Sequence, residues 1–190
     1  MFLRAMMILM LGMGTARAQE AAPVEMSAVL QAMPEKALKK LRAAPEAFLE
    51  DAAVLIYGFG AKGGIDAAGI DGFIAAERAR FRAREMARYL AADLNNDGEI
   101  GRDEMAVLAD ATAAAKRGRL QRGYDRADAD ANGVLTIAEL RTYAQGEAMG
   151  QMTDADAEVL RGLLLFDADG NGTVAMEEVA AGVSSLVEET

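Results

Sequence analysis

Apolar positions recur along the chain with the spacing of helix faces, and Pro and Gly cut the runs. A short helix is expected over Val24–Met33, ended by Pro34. Glu35–Arg42 reads as a second amphipathic helix, with Ala37, Leu38 and Leu41 on one side. Pro45 suits a first helical position, and Ala47, Phe48, Val54, Leu55 and Ile56 extend an apolar helix to about Tyr57. Gly58, Gly60, Gly63 and Gly64 break it. Another helix begins near Asp71 and runs through Phe73, Ile74, Phe81, Met86, Tyr89 and Leu90 to Ala92. Beyond it, a unit of helix, polar Gly-containing loop and helix occurs three times, with Ile100, Leu135 and Val174 late in the successive loops. Few strands are visible beyond those single residues, so the expected fold is all-α.

The first segment breaks this pattern. Met1–Arg4 carries one positive charge, Ala5–Met13 is apolar, and Ala16-Arg17-Ala18 has the form of a cleavage site. The apolar run is well short of the ~20 residues needed to span a bilayer as a helix. Residues 1–18 are therefore expected to be a cleaved export signal, leaving a soluble protein, periplasmic or secreted. Ala- and Arg-rich composition points to a GC-rich bacterial source.

Composition narrows the chemistry. The chain has no Cys and no His, which excludes thiol nucleophiles, His-based triads and Cys/His zinc sites. Any metal must accept oxygen ligands, as hard cations do. The net charge of -10 disfavours nucleic acid, whose phosphates require Lys and Arg.

The three loops supply oxygens at a fixed spacing, that of D-x-[DN]-x-[DN]-G-x5-E. In Asp93–Glu104 the ligand positions hold Asp93, Asn95, Asp97, the carbonyl of Glu99, and Glu104. In Asp128–Glu139 they hold Asp128, Asp130, Asn132, the carbonyl of Val134, and Glu139. In Asp167–Glu178 they hold Asp167, Asp169, Asn171, the carbonyl of Thr173, and Glu178. Gly98, Gly133 and Gly172 occupy position six, where the turn is tightest. A bidentate Glu at position twelve completes the six to eight oxygens calcium accepts, and favours it over magnesium. One such loop could be a polar turn; three with Gly and Glu in register are a repeated metal site. At these residues the chain resembles the EF-hand superfamily, of the calmodulin-like kind with several hands. The resemblance covers about residues 80–187 and more loosely 45–187. It implies helix–loop–helix units packed in pairs, joined by short antiparallel contacts at the apolar position eight.

Three ligand carboxylates per loop, with Gly101 and Ala175 offering no side-chain oxygen at position nine, imply calcium affinities on the order of 10⁻⁶ to 10⁻³ M. Counting back from Ile100 places Ile65 at position eight of a degenerate loop, Gly58–Gly69, with Gly63 at position six. Its ligand positions hold Gly58, Gly60, Lys62 and Gly69, none able to chelate. This loop is expected to pair with the first true loop. That would give N-terminal helices over 19–44 and lobes over 45–116 and 117–187. If it is only a Gly-rich connection, the first two true loops pair instead, and the third must find a partner elsewhere, such as in a second chain.

Two basic clusters, Arg78 to Arg88 and Lys116 to Arg126, read as solvated helix faces balanced by Glu77, Glu85 and Asp125. Met residues and Tyr89, Tyr124, Leu163 and Phe166 read as core. No catalytic constellation is visible, and calcium with a full ligand shell has no open position for chemistry. The chain is thus expected to be a calcium-binding module, buffer or sensor; a sensor engages a protein partner through an apolar groove opened by calcium. The alternative is an adaptor whose ions only hold the fold.

Overall fold

A computed structural model describes residues 26–61 and 63–188. The export-signal expectation and Lys62 lie outside the described residues. The fold is all-α, with two small antiparallel strand pairs.

The chain opens with α1 (Met26–Ala32) and α2 (Glu35–Ala43), separated at Pro34. Pro45 starts α3 (Pro45–Phe59), which is followed by β1 (Gly64–Ile65). Asp66 caps α4 (Ala67–Leu90), its carboxylate accepting a hydrogen bond from the Gly69 N–H at 2.8 Å. The first true loop carries β2 (Glu99–Gly101) into α5 (Arg102–Asp110). Next come α6 (Ala114–Ala127), β3 (Val134–Thr136) and α7 (Ile137–Gln151). The last unit is α8 (Asp154–Arg161), a 3₁₀ turn Gly162–Phe166, β4 (Val174–Ala175) and α9 (Met176–Glu188).

The loop pairing differs from the expected one. β2 pairs with β3, so the first two true loops are partners, with Ile100 opposite Leu135. β1 pairs with β4, so the Gly-rich loop partners the third true loop, with Ile65 opposite Val174. The lobes are therefore nested, an inner pair enclosed in sequence by an outer pair, and not consecutive over 45–116 and 117–187. The reason is α4. Its 24 residues make one continuous rod of about 36 Å, which holds β1 and the first true loop at opposite ends. Between α5 and α6 the helix breaks at Ala111–Ala113, and there the chain reverses.

Each pair has its own core. In the inner core Tyr89, Ile100, Met105, Tyr124, Leu135 and Leu140 are all but fully buried. The outer core joins Phe48, Ile65, Ile70, Phe166, Val174 and Val179, with the Phe48 and Phe166 rings 5.9 Å apart. Into it α1 and α2 insert Val29, Ala37 and Leu41, and Met33 follows from the turn between them. Helices α4 and α7 run antiparallel and join the two cores. Arg78 Nε donates to the Met152 carbonyl at 3.1 Å, Arg82 Nη1 donates to Gln145 Oε1 at 2.8 Å, and the Tyr89 and Tyr143 rings meet edge to face.

Tyr124 does more than fill the core. Its buried hydroxyl lies 2.9 Å from the Ile100 carbonyl and 2.7 Å from the Gly133 carbonyl, so one donor bridges the two inner loops. Burial pushes its pKa up, which keeps it a donor. Tyr124→Phe leaves both carbonyls short of a partner. It is expected to cost about 1–3 kcal/mol, read as a lower denaturation midpoint of the calcium-free protein.

Candidate metal centres

All three true loops close in the same way. The position-one Asp accepts from the backbone N–H of position six: Gly98 to Asp93 Oδ2 at 3.2 Å, Gly133 to Asp128 Oδ2 at 2.9 Å, Gly172 to Asp167 Oδ2 at 2.9 Å. Those glycines have φ of 83°, 85° and 84°, a region that costs a residue with Cβ.

The closing Glu reaches back across each loop. Glu104 Oε1 accepts from the Leu94 N–H at 3.0 Å and Oε2 from the Gly101 N–H at 2.9 Å. Glu139 does so with Ala129 and Thr136, and Glu178 with Ala168 and Ala175. The same two places in each loop, positions two and nine, thus hold both oxygens of the position-twelve carboxylate toward the loop. The Thr136 N–H and then its hydroxyl hold Glu139 below the ordinary carboxylate pKa, the signature of a group kept ionised by donors.

In the second and third loops the carboxylates converge. Oxygens of Asp128, Asp130 and Glu139 lie within 4.8 Å of one another, as do those of Asp167, Asp169 and Glu178. The first loop has its second Asp at position five rather than three. Asp97 Oδ1 accepts from the Glu99 N–H at 2.8 Å, while Oδ2 accepts from Asn95 Nδ2 at 2.8 Å.

One buried oxygen in particular calls for a cation. Asp93 Oδ1 is buried and has no hydrogen-bond partner among the described residues. Asp128 is only 4% exposed; its two oxygens accept from the Asn132 and Gly133 N–H groups, and Arg102 lies 3.6 Å away. A buried carboxylate is costly unless a charge or donor meets it. With no His or Cys in the chain, an oxygen-binding divalent ion fits the place left open at Asp93 Oδ1.

Two features of these loops have no mark in the D-x-[DN]-x-[DN]-G-x5-E spacing. Arg102, at position ten of the first loop, stacks over the Tyr124 ring at 5.5 Å and reaches Asp128 of the second. Nothing in the linear spacing marks it, because the contact exists only once the loops pair. Position four is left-handed in all three loops, with φ of 61° at Asn96, 57° at Ala131 and 68° at Gly170. Asn and Gly tolerate this region and Ala does not. Ala131→Gly is therefore expected to stabilise the protein by about 1 kcal/mol, seen as a higher melting temperature.

The Gly-rich connection has the same outline without the oxygens. Gly63 at position six has φ of 92°, and Ile65 at position eight lies in the strand contact. Asp66 at position nine accepts from position twelve, the reverse of the donation seen in the true loops.

Comparison with known proteins agrees with this geometry. Residues 90–109, from the end of α4 through most of α5, match the family model described as EF hand. The chain is 33% identical over 99 residues to a protein from Oryza sativa subsp. japonica described as calmodulin-like. That match takes in 51% of this chain and 58% of the rice protein's length. No solved structure matches the chain. The family match and the rice relative support placement in the EF-hand calcium-binding superfamily.

Proposed function

We propose that this is an exported EF-hand protein that binds three calcium ions and acts as a calcium sensor or buffer. The carrying observation is the closing Glu, held in all three loops by the N–H groups of positions two and nine. The ligands proposed are the side chains of Asp93, Asn95, Asp97 and Glu104, of Asp128, Asp130, Asn132 and Glu139, and of Asp167, Asp169, Asn171 and Glu178, with the carbonyls of Glu99, Val134 and Thr173. Residues 58–69 form a degenerate hand that gives the third loop a structural partner and binds no ion. No enzymatic role is proposed, since the carboxylates are committed to metal. Export rests on the pattern of residues 1–18; in addition, no helix of the described residues is long and apolar enough to cross a membrane.

The lobes divide the work. In the outer lobe α1 and α2 already fill the core, which favours a structural ion at the third loop. The inner lobe has two complete loops and leaves Leu94 and Val107 largely exposed, which suits the responsive half. The test is a calcium titration of chelated protein with a hydrophobic dye. A saturable rise in dye fluorescence over an already helical calcium-free state supports a sensor. A fall, or no change, removes the sensor and leaves buffering or structural roles.

A further inference from the structure

The two basic clusters have different fates. Most of the α4 cluster is absorbed into the fold: Arg78 pairs with Asp154, Arg80 with Glu77 and Arg88 with Glu85, Arg82 donates to Gln145, and the exposed Arg84 lies over the Phe81 ring. On α6, Arg126 pairs with Glu147. Lys116, Arg117, Arg119 and Arg122 are exposed and, among the described residues, form no ion pair. Four unpaired cations on one helix of a chain with net charge -10 are a local inversion of sign.

Two of these cations, Lys116 and Arg119, border a cleft. Arg88, Leu108, Thr112, Lys116, Arg119 and Leu120 line a depression of about 460 Å³ between α4, α5 and α6. Leu108 and Leu120 give it an apolar floor; Lys116 and Arg119 stand unpaired at its edge, and Arg88 stands there paired with Glu85. Val107, beside the floor, is 57% exposed.

The outer lobe shows what kind of segment such a lobe accepts. There α2 buries Ala37 and Leu41 among the lobe helices. Its flanking Lys36 and Lys40 form ion pairs with Asp156 of α8 and Asp51 of α3. An amphipathic helix with basic flanks is thus seated on an acidic rim. The inner lobe has the opposite rim.

We propose that the basic-rimmed cleft between α4, α5 and α6 docks an amphipathic helix with acidic flanks from a partner protein. The apolar face would rest on Leu108 and Leu120, and the acids would meet Lys116 and Arg119. Charge complementarity sets which helices bind, and apolar burial holds them. The proposal deepens the calcium-binding reading by naming the partner class of its inner lobe.

The test uses the full chain with calcium and two labelled helical peptides of about 14 residues, roughly four turns. Both carry the same Leu positions; one has Glu flanks and the other Lys flanks. Fluorescence anisotropy should show the Glu peptide binding about tenfold tighter or more, with the gap narrowing as salt rises. The variant Lys116→Glu/Arg119→Glu should lose that preference while keeping its helicity and its calcium isotherm. Equal binding, preference for the Lys peptide, or an unchanged preference in the variant overturns the proposal. So does peptide-independent capture by phosphatidylserine vesicles, which would make the face a lipid contact, or dimerisation of the chain through this face. The calcium isotherm of the same sample separates the two levels. Calcium uptake without discrimination between the peptides overturns the docking proposal alone, whereas absence of calcium uptake overturns the reading beneath it.

Discussion

Glu139→Gln is expected to weaken calcium at the second loop by about 100-fold, equivalent to ~2.8 kcal/mol. The carboxylate supplies two oxygens and a full negative charge, and the amide offers one neutral oxygen in their place. Its Nε2 donors would also face one of the two N–H groups, of Ala129 or Thr136, that Glu139 now satisfies. The loss should not stay local. The second loop shares the β2–β3 contact, the Tyr124 bridge and Arg102 with the first. Calcium at Asp93–Glu104 should therefore weaken too, by several-fold, as expected of coupled sites. The third loop lies on the other strand pair and should be unchanged. Isothermal titration calorimetry of the variant reads all three. A third loop weakened along with the second would point to the consecutive pairing that the strand registers contradict.

Leu41→Ala should produce the largest loss of stability away from the metal ligands. Leu41 is 2% exposed and lies in the outer core with Phe48, Phe166 and Val183. Truncating such a side chain costs about 2–5 kcal/mol, from lost burial and the cavity left behind. Because α2 has only nine residues, its hold on the lobe depends on few anchors, chiefly Ala37 and Leu41. The variant should unfold in the outer lobe first and bind calcium less well at Asp167–Glu178, while the two inner sites keep their affinities. Denaturant unfolding followed by calcium titration would show this. Unchanged stability would mean that α1 and α2 are not docked as described.

The closure of the three loops was legible because it is local. Twelve residues carry the turn glycine, the oxygens and the closing Glu, so spacing alone defines them. The helices were legible for the same reason, since Pro34, Pro45 and the Gly-rich stretch mark their ends. Pairing was not legible, because position eight is apolar in all four loops and any two could join there. What decides it is the length of α4, and the run from Phe73 to Leu90 already showed that the helix is unbroken. The steric consequence, loops held about 36 Å apart, is a property of three dimensions. The seating of Val29, Met33, Ala37 and Leu41 against α8 and α9 was hidden likewise. Their periodicity said that one face is buried but not against what.

Calcium stoichiometry of the full chain is the most direct test of the account. Titration calorimetry of the calcium-free protein should give three ions, two bound as a coupled pair and one independently, with Glu178→Gln removing the independent ion alone. Two ions or fewer, or a Glu178→Gln variant in which the pair is also lost, would contradict it.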